Sequence, residues 1–355
     1  MSRIEKLLGK IPVNCDGALV TTFTNRAYLT DLMSSAGVLL LFRDGAYFFT
    51  DSRYIEVARK TVKGAEVIQQ DKIMQQVSDI CKDRGAKRLM IERELTLMQF
   101  DMFKQGAPDL EFVDSPELSD AIRELRAVKE PQEIEKICAA QAITDKAFLE
   151  ILNFIKPGVS EKQIASELEY YMRRLGADGL AFGTIVASGE NSSMPHHVPG
   201  DRIIKLGDLV TMDFGAKYQG YCSDMTRTIA VGDISEEENK IYHTVLEAHI
   251  KSMEAAKAGC SGKALDKIAR DIIDAAGYQG CFGHSLGHSL GLDIHEAPGC
   301  SPARDSILPA NTIMTIEPGI YIEGKYGVRI ENMILITEDG YKNLTGSERE
   351  LITLH

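Results

Sequence analysis

Four acidic residues in the second half of the chain fall into two pairs. Asp213 and Glu317 each follow a short apolar segment, and Asp224 and Glu331 come eleven and fourteen residues after them. Carboxylates that point inward from apolar strands repel one another and lose hydration at great cost unless cations neutralise them. The pattern therefore predicts a site for two divalent metal ions.

The spacing within each pair is compatible with the two strands of a hairpin. A turn centred between Tyr218 and Gln219, with Gly220 at the turn, would place the first pair opposite one another. A connection centred on Gly324 would do the same for the second pair. Such neighbours have Cβ atoms roughly 5 Å apart on one face of the sheet. A solvated acid at a strand end is the alternative for any single residue, but two facing pairs argue against it.

Histidines cluster in the glycine-rich segment 283–291, which reads GHSLGHSLG. The four-residue spacing of His284 and His288 suits a helix, but glycine at this density argues against one and lets backbone approach a site closely. With His295 nearby, the cluster favours function over a structural role. The pair His196-His197 lies in a polar loop, where an exposed imidazole is the alternative reading.

The donor types narrow the choice of metal without fixing it. An oxygen-rich set with one imidazole suits Mn, Co, Fe or Zn rather than a metal selected by thiolates. Cys222 lies two residues before Asp224 but is not needed as a ligand. No H-E-x-x-H motif occurs in the chain, which excludes a zincin.

Composition and charge limit the partners and the compartment. The chain of 355 residues carries a formal net charge of -12, which repels phosphate backbones and argues against nucleic acid as a partner. Residues 1–10 lack the apolar stretch of a signal peptide. The apolar run 37–42 is far shorter than the roughly 20 residues that cross a bilayer. The seven cysteines show no C-x-x-C spacing, which is typical of reduced thiols and predicts a cytoplasmic protein.

The alternation of apolar and helical patterns predicts an α/β domain at 1–124 and a second domain at 125–355. Charged residues and a proline at 126–131 mark the boundary, and a long helix is predicted from Pro131 to Ile155. The expected elements of the first domain are a hairpin of 38–42 with 46–50, a helix capped by Asp51 or Ser52 and continuing through Lys60, a helix through Cys81 and Lys82, and a strand at 88–91.

The second domain contains an internal duplication. The segment 156–162, KPGVSEK, matches 257–263, KAGCSGK, and the offset of 101 also places Gly176 on Gly277. In the first copy, Ser160 and Gln163 form a capping box at the start of a helix. Chance similarity of two amphipathic helices is the alternative. We expect two similar halves, in which Asp213-Phe-Gly corresponds to Glu317-Pro-Gly.

These residues resemble one known family. The residues Asp213, Asp224, His288, Glu317 and Glu331, in this order with PHH at 195–197, GHSLGH at 283–288 and EPG at 317–319, are similar to the proline-specific aminopeptidase and prolidase family. Segments 28–41 and 44–54 resemble its N-terminal domain, whereas methionine aminopeptidases share only the catalytic half. The resemblance implies an α/β (α+β) fold, with a creatinase-like α/β domain followed by a pita-bread catalytic domain of pseudo-twofold symmetry.

The resemblance also implies roles for the metal ligands. Asp213 would bind one ion, His288 and Glu317 the other, and Asp224 and Glu331 would bridge the two. The cofactors would be two divalent ions per subunit, Mn or Co in the first place, with Zn or Fe also compatible. A water or hydroxide between them would be the nucleophile, because two cations lower its pKa toward neutrality.

The remaining roles concern protons and orientation. Glu317 would also handle the proton, and His196 and His295 would hold the substrate and stabilise the tetrahedral intermediate. Arg329 and Tyr321 match positions that orient ligands. His284 would have a supporting role.

The expected reaction is hydrolysis of the bond before proline, either in Xaa-Pro dipeptides or at peptide N-termini, a choice that the sequence leaves open. The alternative is a metal-free creatinase-like hydrolase or a non-catalytic partner-binding relative. Those proteins typically lose several of the five ligands, and all five are present here. A homodimer is expected from the resemblance.

Overall fold

The computed structural model describes residues 2–12, 14–114 and 116–355. Its contacts divide the chain into two compact units, Met1–Arg126 and Ala127–His355. The helices are α1 Arg3–Leu8, α2 Phe23–Thr30, α3 Ile55–Thr61, α4 Ile73–Asp83, α5 Leu97–Gly106, α6 Pro116–Ala127, α7 Pro131–Ile151, α8 Glu161–Arg174, α9 Glu236–Glu254 and α10 Gly262–Ala275, with a 3-10 helix at Gly189–Ser193. The strands are β1 Gly17–Val20, β2 Val38–Phe42, β3 Gly45–Thr50, β4 Glu66–Gln69, β5 Arg88–Ile91, β6 Glu111–Asp114, β7 Gly179–Leu180, β8 Ile185–Ser188, β9 Asp208–Phe214, β10 Ala216–Tyr218, β11 Tyr221–Cys222, β12 Met225–Val231, β13 Gly287–Ser289, β14 Glu296–Cys300, β15 Ile313–Ile316, β16 Gly319–Ile322, β17 Tyr326–Arg329, β18 Asn332–Ile336, β19 Tyr341–Asn343 and β20 Thr353–Leu354.

The first unit is built on a six-stranded mixed sheet with the order β4-β3-β2-β1-β5-β6. The strands β1, β2 and β3 pair antiparallel, while β4, β5 and β6 each join a parallel neighbour. Every residue of β1 and β2 is buried, as expected for a strand covered on both faces. The predicted hairpin, the helix through Cys81 and the strand at 88–91 are confirmed.

One helix start in this unit was predicted wrongly. The N-cap of α3 is Tyr54, which makes no capping hydrogen bond through its side chain, and the helix continues to Thr61. Asp51 instead closes a turn, because its side chain accepts from the backbone N–H and the guanidinium of Arg53. The side chain of Asp51, which the sequence predicts as a cap, is therefore engaged in the turn instead.

The second unit holds two main sheets, one in each half of the duplication. The first has the order β20-β12-β9-β8 and the second β14-β13-β15-β18-β19, while β16 and β17 form a separate hairpin. Each sheet has its own hydrophobic cluster, the first shared with α7 and α8 and the second with α9 and α10. Among the described residues, we find no helix with the length and apolarity that crossing a membrane requires.

The duplication is confirmed by the geometry of the helices. Helices α8 and α10 start at 161 and 262 and end at 174 and 275, so both bounds differ by the 101 residues read from the sequence. Ser160 and Ser261 cap the two helices through their side chains, and the predicted capping box of Ser160 with Gln163 is present. Gly176 and Gly277 follow them with φ of 109° and 95°, conformations that favour glycine.

The long helix that begins at Pro131 ends earlier than predicted. It stops at Ile151 rather than Ile155, and residues 152–154 form a turn. The chain then passes through Pro157, which disfavours helical backbone in the residue before it, and Gly158, which has φ of 99°. These constraints end the helix although its apolar pattern continues.

Candidate active site

A cavity of about 550 Å³ in the second unit is lined by all the predicted site residues except Tyr321. Its acidic and imidazole side chains come from strands of both sheets. Asp213 lies on β9 and His288 on β13, while Glu317 directly follows β15. Asp224 and Glu331 directly precede β12 and β18. The cavity therefore lies where the two halves meet.

The first acidic pair is arranged diagonally, because the predicted turn centre is wrong by one residue and the predicted pairing therefore by two. Asp213 pairs with Thr226, and the turn is centred between Gln219 and Gly220, since Tyr218 pairs with Tyr221. Both turn residues have positive φ, as a tight two-residue hairpin requires. Moving the turn centre by one residue moves the pairing by two, which keeps Asp224 on the same face as Asp213.

The second acidic pair has the predicted register. On one side of the two glutamates Ile316 pairs with Asn332, and on the other side Gly319 pairs with Arg329. Glu317 and Glu331 therefore occupy facing positions, and the connection is centred on Gly324, which has φ of 70°. The spacing of fourteen was sufficient to predict this arrangement.

His288 joins the carboxylates of both halves. Single ligand atoms of Asp224, His288 and Glu331 lie within 4.8 Å of one another, an arrangement that could hold a metal ion. The Nε2 of His288 is 3.5 Å from Asp224 Oδ2 and 3.4 Å from Glu317 Oε1. Its Nδ1–H donates to the carbonyl of Ser289, which fixes the tautomer and leaves Nε2 free to bind a cation.

Two buried carboxylate oxygens have no hydrogen-bond partner within the described ranges. These atoms are Oδ1 of Asp213 and Oε1 of Glu331. The other oxygen of each group is engaged, because Asp213 Oδ2 accepts from Arg329 Nη2 at 2.7 Å and Glu331 Oε2 accepts from Thr226 Oγ1 at 2.7 Å. Unpaired buried acceptors are costly, and bound cations would satisfy both.

Burial and mutual repulsion make these carboxyls hard to ionise without added positive charge. Burial raises the pKa of Asp224 well above its usual value, and the nearby Glu331, Asp213 and Glu317 raise it further. Burial, then Glu331, raises the pKa of Glu317, and burial, then Asp213, raises the pKa of Glu331 to about 8. Divalent cations would stabilise the ionised forms, so the residues fit a metal centre.

Burial also keeps His288 neutral. It lowers the pKa of His288 to about 4, with a further contribution from His295. A neutral imidazole is the form that binds a metal. The His288 imidazole is therefore in the form that a metal would require over the whole neutral range.

A hydrogen-bonded chain connects Asp213 to His284. Arg329 donates from Nη1 to the hydroxyl of Tyr321 at 2.8 Å, and it also donates from Nε to Thr226. The Tyr321 hydroxyl lies 2.8 Å from His284 Nε2, while His284 Nδ1 donates to the carbonyl of Ser285. Since Nδ1 carries the His284 proton, Tyr321 must donate to Nε2. This series of hydrogen bonds holds the Arg329 guanidinium against Asp213.

The two remaining predicted histidines border the cavity on different supports. His295 directly precedes β14, and its ring centroid lies 4.5 Å from that of His288 in an edge-to-face contact. His196 lies in a turn in which His197 N–H donates to the carbonyl of Met194. Both imidazoles line the cavity near the carboxylates.

Sequence reasoning missed two threonines that contact the acids. Thr226 donates to Glu331, and Thr315 donates to Glu317 Oε1 at 3.1 Å. Thr226 follows Asp224 by two residues and Thr315 precedes Glu317 by two, so each shares a strand face with an acid. That period was a usable signal. No such sequence signal marked the apolar residues that line the cavity, Phe182, Ile185 and Ile294.

Comparisons with known proteins extend over the whole chain. Residues 135–338 match the model of metallopeptidase family M24, and residues 3–128 match that of the creatinase/prolidase N-terminal domain. The chain is 40% identical to the Xaa-Pro dipeptidase of Pyrococcus furiosus, covering 99% of both proteins. A solved Xaa-Pro dipeptidase from Bacillus anthracis has a TM-score of 0.95 and 43% identity, with 99% of both chains covered. The X-Pro aminopeptidase from Thermotoga maritima has a TM-score of 0.92 and 37% identity, covering 99% of this chain and all of the other. These matches confirm the predicted α/β fold class.

Proposed function

The chain belongs to metallopeptidase family M24, and we propose that within this family it hydrolyses the peptide bond that precedes proline. The observation that carries the proposal is the convergence of four buried or half-buried carboxylates and one neutral imidazole on one cavity. The Xaa-Pro dipeptidases and the X-Pro aminopeptidase that the chain resembles support the substrate class. The substrate is an Xaa-Pro dipeptide or a peptide N-terminus with proline second.

We infer that Asp213, Asp224, His288, Glu317 and Glu331 hold two divalent cations, Mn or Co, with Zn or Fe also compatible with the donors. When bound, the cations neutralise the buried acids and lower the pKa of a water molecule toward neutrality. The unpartnered oxygens of Asp213 and Glu331 support this assignment.

The protein groups would share the remaining work of amide hydrolysis. Glu317 lines the cavity and is suited to accept a proton and return it to the leaving amine. His196 and His295 would donate hydrogen bonds to the carbonyl oxygen as negative charge develops there. Arg329 and Tyr321 would keep Asp213 in one orientation, with His284 supporting Tyr321. The apolar wall of Phe182, Ile185 and Ile294 suits a pyrrolidine ring, which lacks an amide hydrogen to satisfy.

The test compares paired substrates in several metals. Purified protein is depleted of metal, reloaded with Mn, Co or Zn, and assayed with Xaa-Pro, Xaa-Pro-Yaa and Xaa-Ala peptides. We expect metal-dependent turnover of one or both proline substrates and much slower turnover of Xaa-Ala. Equal turnover of the proline and alanine substrates, or none with any metal, would contradict the proposal. The ratio of the two proline substrates reports the chain-length preference.

We propose further that the protein is a cytoplasmic homodimer. All seven cysteines are free thiols, which fits a reducing compartment. The molar mass in solution, measured by light scattering, tests the dimer against the 39.2 kDa of one chain. A metal-free creatinase-like or partner-binding protein is disfavoured because all five ligand positions are filled.

A further inference from the structure

One buried carboxylate outside the metal cluster secures the loop that carries His196. Glu161 is the first residue of α8 and is fully buried. Its Oε1 accepts from the backbone N–H and the hydroxyl of Ser188 and from the side-chain amide of Asn191, at 2.8 to 3.0 Å. Its Oε2 accepts from His197 Nε2 at 2.8 Å and from the backbone N–H of Gly200 at 3.2 Å. One side chain thus connects the start, the middle and the end of the loop 189–200.

The contact with His197 determines which way its neighbour points. The turn from Met194 to His197 has Pro195 at its second position, the place that favours proline, and His196 at its third. His197 is directed into the protein by Glu161, while the side chain of His196 lines the cavity. If His197 were released, the turn would lose the hydrogen bond that ties it to Glu161.

The energetics favour a charged anchor at this position. Burial by itself raises the pKa of Glu161, but the hydrogen bonds from Asn191, His197 and Ser188 outweigh it and hold the pKa below its usual value. Hydrogen bonds to an ionised group are about twice as strong as those between neutral groups. The carboxylate is therefore ionised and holds all three parts of the loop at neutral pH.

The second half of the domain lacks a carboxylate at the equivalent position. The offset of 101 places Gly262 where the first half has Glu161, and a Cβ there would collide with the backbone of Gly299 in β14. The histidine of this half, His295, directly precedes β14, and strand pairing with β13 supports it. His295 thus adjoins a strand, and the side chain of Glu296 accepts from the backbone N–H of Asp293 in the preceding segment, whereas His196 lies in a loop.

We propose that Glu161 and His197 are positioning residues of the reaction, which hold His196 at the distance and orientation that the substrate carbonyl requires. The inference rests on the proposed function, because it concerns the role of His196 in turnover. Neither residue lines the cavity. Any effect on catalysis therefore passes through the cavity-lining residues of the turn that they hold, Pro195 and His196, and this separates positioning from direct catalysis.

A double-mutant cycle tests the proposal on the full-length, metal-loaded protein. We expect His197→Ala to lower kcat by about 10- to 100-fold, because a displacement of about 1 Å can cost as much, with KM changed less than about twofold. In a His196→Ala background, the same change should cost less than about twofold, because the group through which it acts is gone. A drop of equal size in both backgrounds would overturn the proposal.

Conservative variants distinguish positioning from loss of structure. His197→Gln offers an amide donor to Glu161 and should recover most of kcat, whereas Glu161→Gln should behave like His197→Ala because an amide nitrogen cannot accept from Gly200. His243→Ala removes an exposed imidazole from α9 and should leave kcat unchanged. Metal content and melting temperature are measured for each variant. If His197→Ala does not fold, His197→Asn, which is too short to reach Glu161, replaces it in the cycle.

The wild-type protein separates the two proposals. If it turns over neither proline substrate, the proposed function fails, and the positioning role, which rests on it, fails with it. If it is active and His197→Gln is as slow as His197→Ala in both backgrounds, the positioning role fails while the proposed function stands.

Discussion

The two halves of the second unit share one frame but carry different chemistry. Each has a helix capped by serine, followed by a glycine of positive φ, and a strand pair that ends in two acids. The offset of 101 places Ala187 of β8 on His288 of β13 and Gly183 on His284. The first half thus carries alanine and glycine at the two positions where the second half carries histidine. Duplication reproduced the backbone, and side-chain replacement made the site asymmetric.

The supports of the two outer histidines differ in the same way. His196 depends on a carboxylate at the start of α8, whereas His295 is followed by a strand and by Glu296, whose buried ion pair with Lys129 is 3.1 Å long. The same geometric task is achieved by side-chain hydrogen bonds to a loop in one half, and by backbone pairing together with a buried ion pair in the other. Loop residues need such anchors because no ladder of backbone hydrogen bonds fixes them.

The largest expected effect comes from removing one acid of the proposed metal site from each half. Asp224→Ala and Glu331→Ala should each lose metal and lower kcat/KM by at least about a thousandfold, since a catalytic metal contributes several kcal/mol. Metal analysis and kinetics of the same preparations check this. The exposed acids Asp233 and Glu338 serve as controls, each changed to alanine. If one variant kept both ions, the halves would not form a single centre.

The second comparison sets His196→Ala against His295→Ala. Each should reduce kcat by about 10²- to 10³-fold, the usual loss for one donor to a developing oxyanion. Steady-state kinetics with Xaa-Pro-Yaa at saturating substrate measures both. Since His295 contacts the ring of His288, its variant should also weaken metal binding, and that of His196 should not. An unchanged kcat for either variant would remove that histidine from the mechanism.

A smaller effect, on stability, is expected at the start of α10, where glycine stands in place of the Glu161 of α8. Gly262→Ala introduces a methyl group against the backbone of Gly299 and should lower the free energy of unfolding by about 1–3 kcal/mol. The control is Gly340→Ala, where no atom lies within 4 Å of the added carbon, and it should change stability by less than about 0.5 kcal/mol. Urea unfolding followed by circular dichroism compares the two. Equal stability would mean that α10 can shift away from β14.

An effect of similar size is a difference in acid stability. The offset of 101 pairs Phe148 with His249, which is fully buried and whose pKa burial lowers to about 3. Because the unfolded chain binds this proton near pH 6.5, His249 reduces stability progressively as the pH falls below 6.5 toward 3.

His249→Phe should remove that loss. The difference in the free energy of unfolding between this variant and the wild type should therefore grow in favour of the variant by about 2 kcal/mol as the pH falls from 7 to 5. Urea midpoints of both metal-free proteins across this range provide the measurement. A stability difference that did not vary with pH would show that His249 is not the responsible group.

The sequence alone determined the elements with a strong local signal. The capping box at Ser160, the hairpin near Arg43-Asp44 and the connection centred on Gly324 all depend on residues within a few positions of one another. The four candidate acids were found in the same way, because acids beside apolar strands conflict with burial unless something compensates them. His288 was found from the histidine cluster in the glycine-rich segment 283–291.

Only the tertiary structure decided the contacts between distant segments. Thr226 reaches Glu331, Arg329 reaches Asp213, and Glu161 reaches His197, across separations of 105, 116 and 36 residues. No local pattern encodes these pairings, because each depends on how helices and sheets from separate parts of the chain pack together. The register of the first acidic pair shows the limit: spacing predicted the shared strand face, but the turn that formed at Gln219-Gly220 decided which residues lie opposite one another.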